Sequence, residues 1–286
     1  MVVLSAFGFG TISILVTFAT ATGAPVLSLL LWRYALAAVL LAGVAWLAGT
    51  RRLSDRAWRL VLVAGLMQAV IAGVSMSALK YIPAGTLGFL FYTYPAWVAL
   101  IARVMHSEPL TPLRLFALGL SLAGIFVMVG AGEGMTLHPI GVTLALASAL
   151  LYAAYVPMIG VMQRGLGDAE TSAYVSIGAA IFLGIGGTFL GQLTATLHPT
   201  AWLSVVGLAV ISTVAAFLLF LRGLRVLGPV RTAIVSTVEP FFTSVLGAML
   251  LAQPFTGRSL VGGTLIAVAV VLLQIRPAAN GAGRTD

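Results

Sequence analysis

Residues 94–111 read YPAWVALIARVMHSEPLT and residues 239–256 read EPFFTSVLGAMLLAQPFT. Set side by side at an offset of 145, Pro95 falls on Pro240, Pro109 on Pro254 and Thr111 on Thr256. The chain holds only twelve prolines, so a spacing of 14 residues followed by x-Thr at matching depths carries more weight than identity among apolar residues. The pairing predicts an internal repeat whose fourth and ninth helices correspond.

Around these segments the chain is overwhelmingly apolar: 60% of 286 residues are hydrophobic and 8% charged, too few charges to cover a soluble surface. Taking about 20 apolar residues per crossing, spans are expected near 2–20, 26–48, 58–79, 84–105, 110–130, 139–162, 171–193, 201–221, 230–251 and 257–275. This predicts an all-α membrane protein of ten transmembrane helices, punctuated by strings such as GTRRLSDR (49–56) and RVLGPVR (225–231). The first apolar run follows Met1 directly, and despite the small residues of ATATGA (19–24) it reads as a spanning helix and not as a cleaved signal.

Five helices per repeat is an odd number, so the second copy enters the membrane from the opposite side. The expected units are residues 1–135, an inverted second repeat at 136–276, and a cytoplasmic tail at 277–286. With both termini cytoplasmic, Arg51, Arg52, Arg56, Arg59, Arg103, Arg114, Arg164, Arg222, Arg225, Arg231, Arg276 and Arg284 all fall inside. That is twelve of fifteen basic residues; Lys80 and Arg258 lie outside and Arg33 within a helix. Inverted repeats are typical of secondary transporters, whose substrate site lies near the midplane between the halves. One chain containing both halves is compatible with a functional monomer.

The net charge of +8 is spread over short connections and not interleaved with stacking aromatics, which argues against nucleic acid as a partner. No cysteine is present and His106, His138 and His198 are scattered, so neither thiol chemistry nor a metal or other cofactor is expected. Asp55, Glu108, Glu133, Asp168, Glu170 and Asp286 lie outside the spans or at their edges, and no GxxxxGK[ST], HExxH or G-x-S-x-G occurs, which argues against an enzyme.

Glu239 alone is an acid at the centre of a span, where insertion is unfavourable by about 2.5–3.5 kcal/mol, so it should face the bundle interior. Two roles fit: an ionised carboxylate attracting a substrate ammonium, or a protonated one that carries protons. The plain alternative is a neutral carboxyl bonded to a neighbouring helix. Pro95 and Pro240 free the carbonyls of Phe91 and Ser236, which predicts kinked hinges lining a polar space. Arg33 either snorkels to the outer face or pairs with a substrate carboxylate or an interior acid.

Tyr92, Tyr94 and Trp97 in FLFYTYPAW (89–97), with Tyr152 and Tyr155, stand mid-span, whereas interface aromatics such as Trp58 and Trp202 stand at helix ends. They are candidate substrate-binding residues together with Glu239, Ser236 and Gln68. Ser75, Ser212 and Thr213 are further polar candidates, and Gly187 with Gly191 in GGTFLG (186–191) form a small-xxx-small pair for packing.

The order of LLWRYALA (30–37), ALKYIPAGTLGFLFYTYPAWVALIARVMHSEPLT (78–111), ASALLYAAYVP (147–157) and VSTVEPFFTSVLGAMLLAQPFT (235–256) resembles the EamA-type ten-helix exporters of the drug/metabolite transporter superfamily over nearly the whole chain. Departures are GFGTIS (8–13), where many relatives begin with Trp-Gly, and Gln253 in place of an acid whose counterpart Glu108 is kept. Among such exporters the chain looks most like bacterial amino-acid exporters, including those for aromatic amino acids. Their aromatic pair in helix four and aromatic in helix six fall on Tyr92, Tyr94 and Tyr152. The resemblance implies a small-molecule carrier of the inner membrane, surrounded by lipid, that exports amino acids and related metabolites by alternating access. Two alternatives are an exporter of lipophilic cations using Glu239 and a lipid-linked sugar flippase.

Overall fold

The computed structural model describes residues 1–49, 55–82, 84–105, 110–130, 138–253 and 255–275, all helix and connections, with no strand among them. Eight helices are long and apolar enough to cross a membrane: α1 (Val2–Thr20), α2 (Val26–Leu47), α3 (Ala57–Ala78), α4 (Thr86–Val104), α6 (Pro139–Met162), α7 (Asp168–Phe189), α8 (Pro199–Leu227) and α9 (Pro229–Leu251). Two shorter apolar helices, α5 (Pro112–Met128) and α10 (Gly257–Leu273), complete a ten-helix bundle. Arg51, Arg52, Glu108, Pro109, Glu133, Pro254, Arg276, Arg284, Asp286 and the tail at 277–286 lie outside the described residues.

α8 runs past the expected end near 221. Its last turns carry Arg222 and Arg225 on an amphipathic stretch that hydropathy alone does not reach, and it stops where Gly228 takes a positive φ of 78° before Pro229 opens α9.

The two prolines do more than kink. α4 is interrupted between Ala84–Phe91 and Tyr94–Val104, and α9 between Pro229–Ser236 and Glu239–Leu251, so each proline stands in the first turn of a new helix, where a missing N–H is tolerated. At each break the ladder shortens to three-residue bonds: Thr93 N–H to the Leu90 carbonyl (3.2 Å), and Thr237 N–H to that of Ile234 (3.1 Å). The Thr93 hydroxyl donates to the Leu90 oxygen at 2.7 Å and the Thr237 hydroxyl to the Ile234 oxygen at 2.6 Å. The Leu90 and Ile234 carbonyls thereby keep partners within the apolar slab.

α2 packs on α7 and α5 on α10; α1 packs on α8 and α9, as α6 does on α3 and α4. Glycine makes the closest crossings. A Cβ on Gly178 of α7 would run into the Val61 carbonyl and Gly65 of α3, and one on Gly124 of α5 into the Gly262 carbonyl of α10. Gly187 and Gly191 are not such a pair: Leu193 covers Gly187, and Gly191 lies beyond α7 in a left-handed turn with φ 61°.

Packing differs between the two ends. The largest buried cluster draws Val2 from α1, Leu60 and Val61 from α3, Val98 and Ala102 from α4, Leu221 and Leu224 from α8 and Val230, Ala233, Ile234 and Val235 from α9, all toward the end bearing the N-terminus. Toward the other end, residues 72–77 of α3, 88–93 of α4 and 241–246 of α9 are partly exposed on every face. Along α3, α4 and α9 packing is therefore tighter toward the end bearing the N-terminus, while the other end keeps two smaller buried clusters, one around Leu29 and Val205 and one around Ile82 and Ala145.

Candidate substrate site

Where α4 and α9 break, their interruptions meet α6. Tyr94 and Tyr152 pack edge to face with ring centres 4.8 Å apart, Phe91 lies 5.4 Å from Tyr152, and Tyr155 stacks on Tyr152 at 6.0 Å. Such pairs contribute about 0.5–1.5 kcal/mol each beyond their burial, which fixes the rings as a wall. The Tyr94 hydroxyl donates across to the Ala233 carbonyl of α9 at 3.4 Å and lies within reach of Ser236.

Glu239, the first residue of the second half of α9, is partly exposed and in hydrogen-bonding reach of Tyr92. Tyr94 and Tyr152 lie within electrostatic range of its carboxylate. From α3, Gln68 donates to the Tyr34 hydroxyl of α2 at 2.8 Å, and Tyr34 is in range of Tyr152 and Tyr155. Five helices, α2, α3, α4, α6 and α9, thus converge on one polar, aromatic site. The Tyr155 hydroxyl is buried with no hydrogen-bond partner among the described residues.

Arg33 does not snorkel outward. Only 6% exposed, it turns into the bundle, where its Nε donates to Thr213 Oγ1 at 2.7 Å and its Nη2 to the Ser212 carbonyl at 3.3 Å. Both acceptors belong to a π-helical stretch of α8, Leu208–Ala215, whose wider turn offers the Ser212 carbonyl to an outside donor. Thr213 in turn donates to the Leu208 carbonyl at 2.9 Å, and Ser212 Oγ meets Thr11 Oγ1 of α1 at 2.9 Å.

Of the residues expected from sequence, Tyr92, Tyr94, Tyr152, Tyr155, Ser236, Gln68 and Glu239 come together. Trp97 is 37% exposed and takes no part in the ring contacts around Tyr152. Ser75 lies in the loosely packed half of α3 without joining the cluster. Sequence reading missed Phe91, Tyr34 and Thr11. Tyr34 had a signal in its place beside the intramembrane arginine, and Thr11 in being a hydroxyl mid-span.

A multi-pass helical bundle with discontinuous helices crossing at a central polar site is the architecture of a membrane transporter. A solved structure titled "Crystal structure of protein" shares the fold, with a TM-score of 0.83 over 96% of this chain and 95% of that one at 18% identity. The chain belongs to the EamA-like transporter family, whose profile matches residues 1–130 and again 139–275. An uncharacterized transporter of Synechocystis sp., sll1319, is 26% identical over 215 residues, 73% of this chain and 64% of that protein's own length. The uncharacterized transporter YvbV of Bacillus subtilis is 26% identical over 79% of this chain and 74% of its own. A riboflavin transporter of Brucella anthropi is 28% identical over 58% of this chain and 60% of its own.

Proposed function

We propose that this protein is a secondary transporter that exports amino acids, aromatic ones among them, and related small metabolites from the bacterial cytoplasm by alternating access. The observation that carries this reading is the tyrosine wall of Tyr94, Tyr152 and Tyr155 beside Glu239, placed where both broken helices cross. Rings stack on the apolar side chain of a small metabolite, while Glu239, Tyr92, Ser236 and Gln68 supply polar contacts that fix its orientation.

In this reading residues 1–135 and 136–276 are inverted repeats in the inner membrane with both termini cytoplasmic. Two features support it: the placement of arginines, and the exchange of helix pairings when the first five helices are swapped with the last five. Pro95 and Pro240 then act as paired hinges. The end where α3, α4 and α9 pack more tightly is the cytoplasmic one, and the end where they are more exposed faces outward.

The relative named as a riboflavin transporter favours a second reading, a larger flat heterocycle as cargo, since the same rings accept any planar face. The test is reconstitution in liposomes with labelled amino acids and riboflavin, with and without a pH gradient. Saturable entry of amino acids supports the first reading and identifies any proton coupling. Entry of riboflavin with no amino-acid flux supports the second, and entry of neither by folded protein overturns both.

A further inference from the structure

We infer that Arg33 and Glu239 together receive the two ends of a zwitterion, Arg33 taking a carboxylate and Glu239 an ammonium group, while the tyrosine wall holds the side chain. The inference rests on the proposed function and adds to it the charge type of the substrate. It starts from two intramembrane charges of opposite sign that lie within electrostatic range of one another yet form no ion pair.

In an apolar slab such charges ordinarily close on each other or on polar backbone, because an unpaired charge there is strongly disfavoured. Here something else holds them apart. Arg33 is fixed to α8 through Nε and Nη2, so its guanidinium is tethered to a different helix from the one that carries Glu239. Its Nη1 makes no hydrogen bond with a described residue and is not among the atoms sealed from solvent. Part of a rigid five-donor fork is thus left without a protein partner, and a carboxylate is the group that such donors match.

Glu239 is held from the other side by Tyr92, at the first turn of a helix restart, and is itself partly exposed. Tyr34 links Arg33 to the tyrosine wall. Its ring lies 5.1 Å from the Arg33 guanidinium carbon and its hydroxyl is bonded to Gln68, which keeps the arginine beside the tyrosine wall. A molecule carrying both charges satisfies both groups at once; an amine satisfies Glu239 alone and an N-acylated acid Arg33 alone.

The experiment compares L-phenylalanine, phenethylamine and N-acetyl-L-phenylalanine, which share a side chain and differ in charge, by equilibrium binding to the full-length protein in detergent. The expected result is that phenylalanine binds about tenfold or more tightly than either analogue. Arg33→Gln should weaken phenylalanine and N-acetylphenylalanine and leave phenethylamine unchanged. Glu239→Gln should weaken phenylalanine and phenethylamine and leave N-acetylphenylalanine unchanged. Because Arg33→Gln also removes a helix anchor, Thr213→Val serves as its companion: it removes the Nε bond, leaves the bond to the Ser212 carbonyl and keeps the charge, and should preserve the order of the three ligands. Phenethylamine binding as well as phenylalanine, with Arg33→Gln lowering all three alike, overturns the inference while leaving the amino-acid reading intact. No binding of phenylalanine by folded protein removes the aromatic amino-acid reading and this inference with it.

Discussion

Replacing Pro240 with alanine restores one backbone N–H to α9 at the point where the helix is interrupted. In the structure Thr237 and Val238 donate to the Ile234 and Val235 carbonyls at 3.1 and 3.3 Å, and Phe241 donates to Val238 at 3.1 Å. The new N–H at position 240 can bond the Ser236 carbonyl, and the ring no longer opposes a continuous helix. One such bond is worth about 0.5–1.5 kcal/mol net, so a straight α9 gains roughly two- to tenfold over the broken one. If the break is the hinge of alternating access, Pro240→Ala should slow saturable flux in liposomes by about that factor. The midpoint of thermal unfolding in detergent should hold or rise. Pro95→Ala should do the same through α4. Flux at the native rate in a variant that unfolds no earlier than the parent would refute the hinge argument.

Gly178→Ala should lower stability by about 1–3 kcal/mol, since the added methyl meets backbone of α3 that cannot step aside, whereas Gly186→Ala meets nothing and should be neutral; thermal unfolding separates them. Tyr155→Phe removes a buried hydroxyl without a partner, so it should raise the unfolding midpoint while reducing the extra stability conferred by an added substrate; a fall in the midpoint would mean the hydroxyl is satisfied within the protein. Asp168 pairs with Arg225 at 2.7 Å, but both side chains are partly exposed, so Asp168→Asn should destabilise by no more than about 1 kcal/mol, with the difference shrinking at high salt.

The ten apolar segments were legible because hydrophobic length is nearly the whole requirement for crossing a membrane. The breaks were less so. Proline inside an apolar run reads equally as a kink or a restart, and Pro157 shows the other outcome, lying within an unbroken α6. What distinguishes Pro95 and Pro240 is a threonine two or three residues earlier whose hydroxyl takes up a carbonyl of the last turn, while Ala154 holds the corresponding place before Pro157. The tyrosines of α4 and α6 were legible as mid-span hydroxyls needing partners. The direction of Arg33 was not, because its acceptors exist only through the π-helical turn of α8, 180 residues away in sequence. Trp97 illustrates the converse: lying mid-span says nothing of which face of the helix a ring occupies.

Rigid and yielding parts of the bundle are set by different residues. Gly65 against Gly178 and Gly124 against Gly262 bring backbones into contact, so α3 with α7 and α5 with α10 have little room to slide. Arg33 adds a polar tie between α2 and α8, and the Ser5 hydroxyl another between α1 and the Ala216 carbonyl of α8 at 2.7 Å. No comparable tie among the described residues holds the halves of α4 and α9 toward the loosely packed end, apart from the Thr243 hydroxyl, which donates to Gly10 at a long 3.3 Å. On the alternating-access reading these halves swing at Tyr92–Thr93 and Thr237–Val238 while α2, α7 and α8 keep still. Glu239 then travels with the swinging half and Arg33 does not. The separation of the two charges thus becomes a coordinate of the transport cycle, and a ligand that bridges them favours the conformation in which both ends are held.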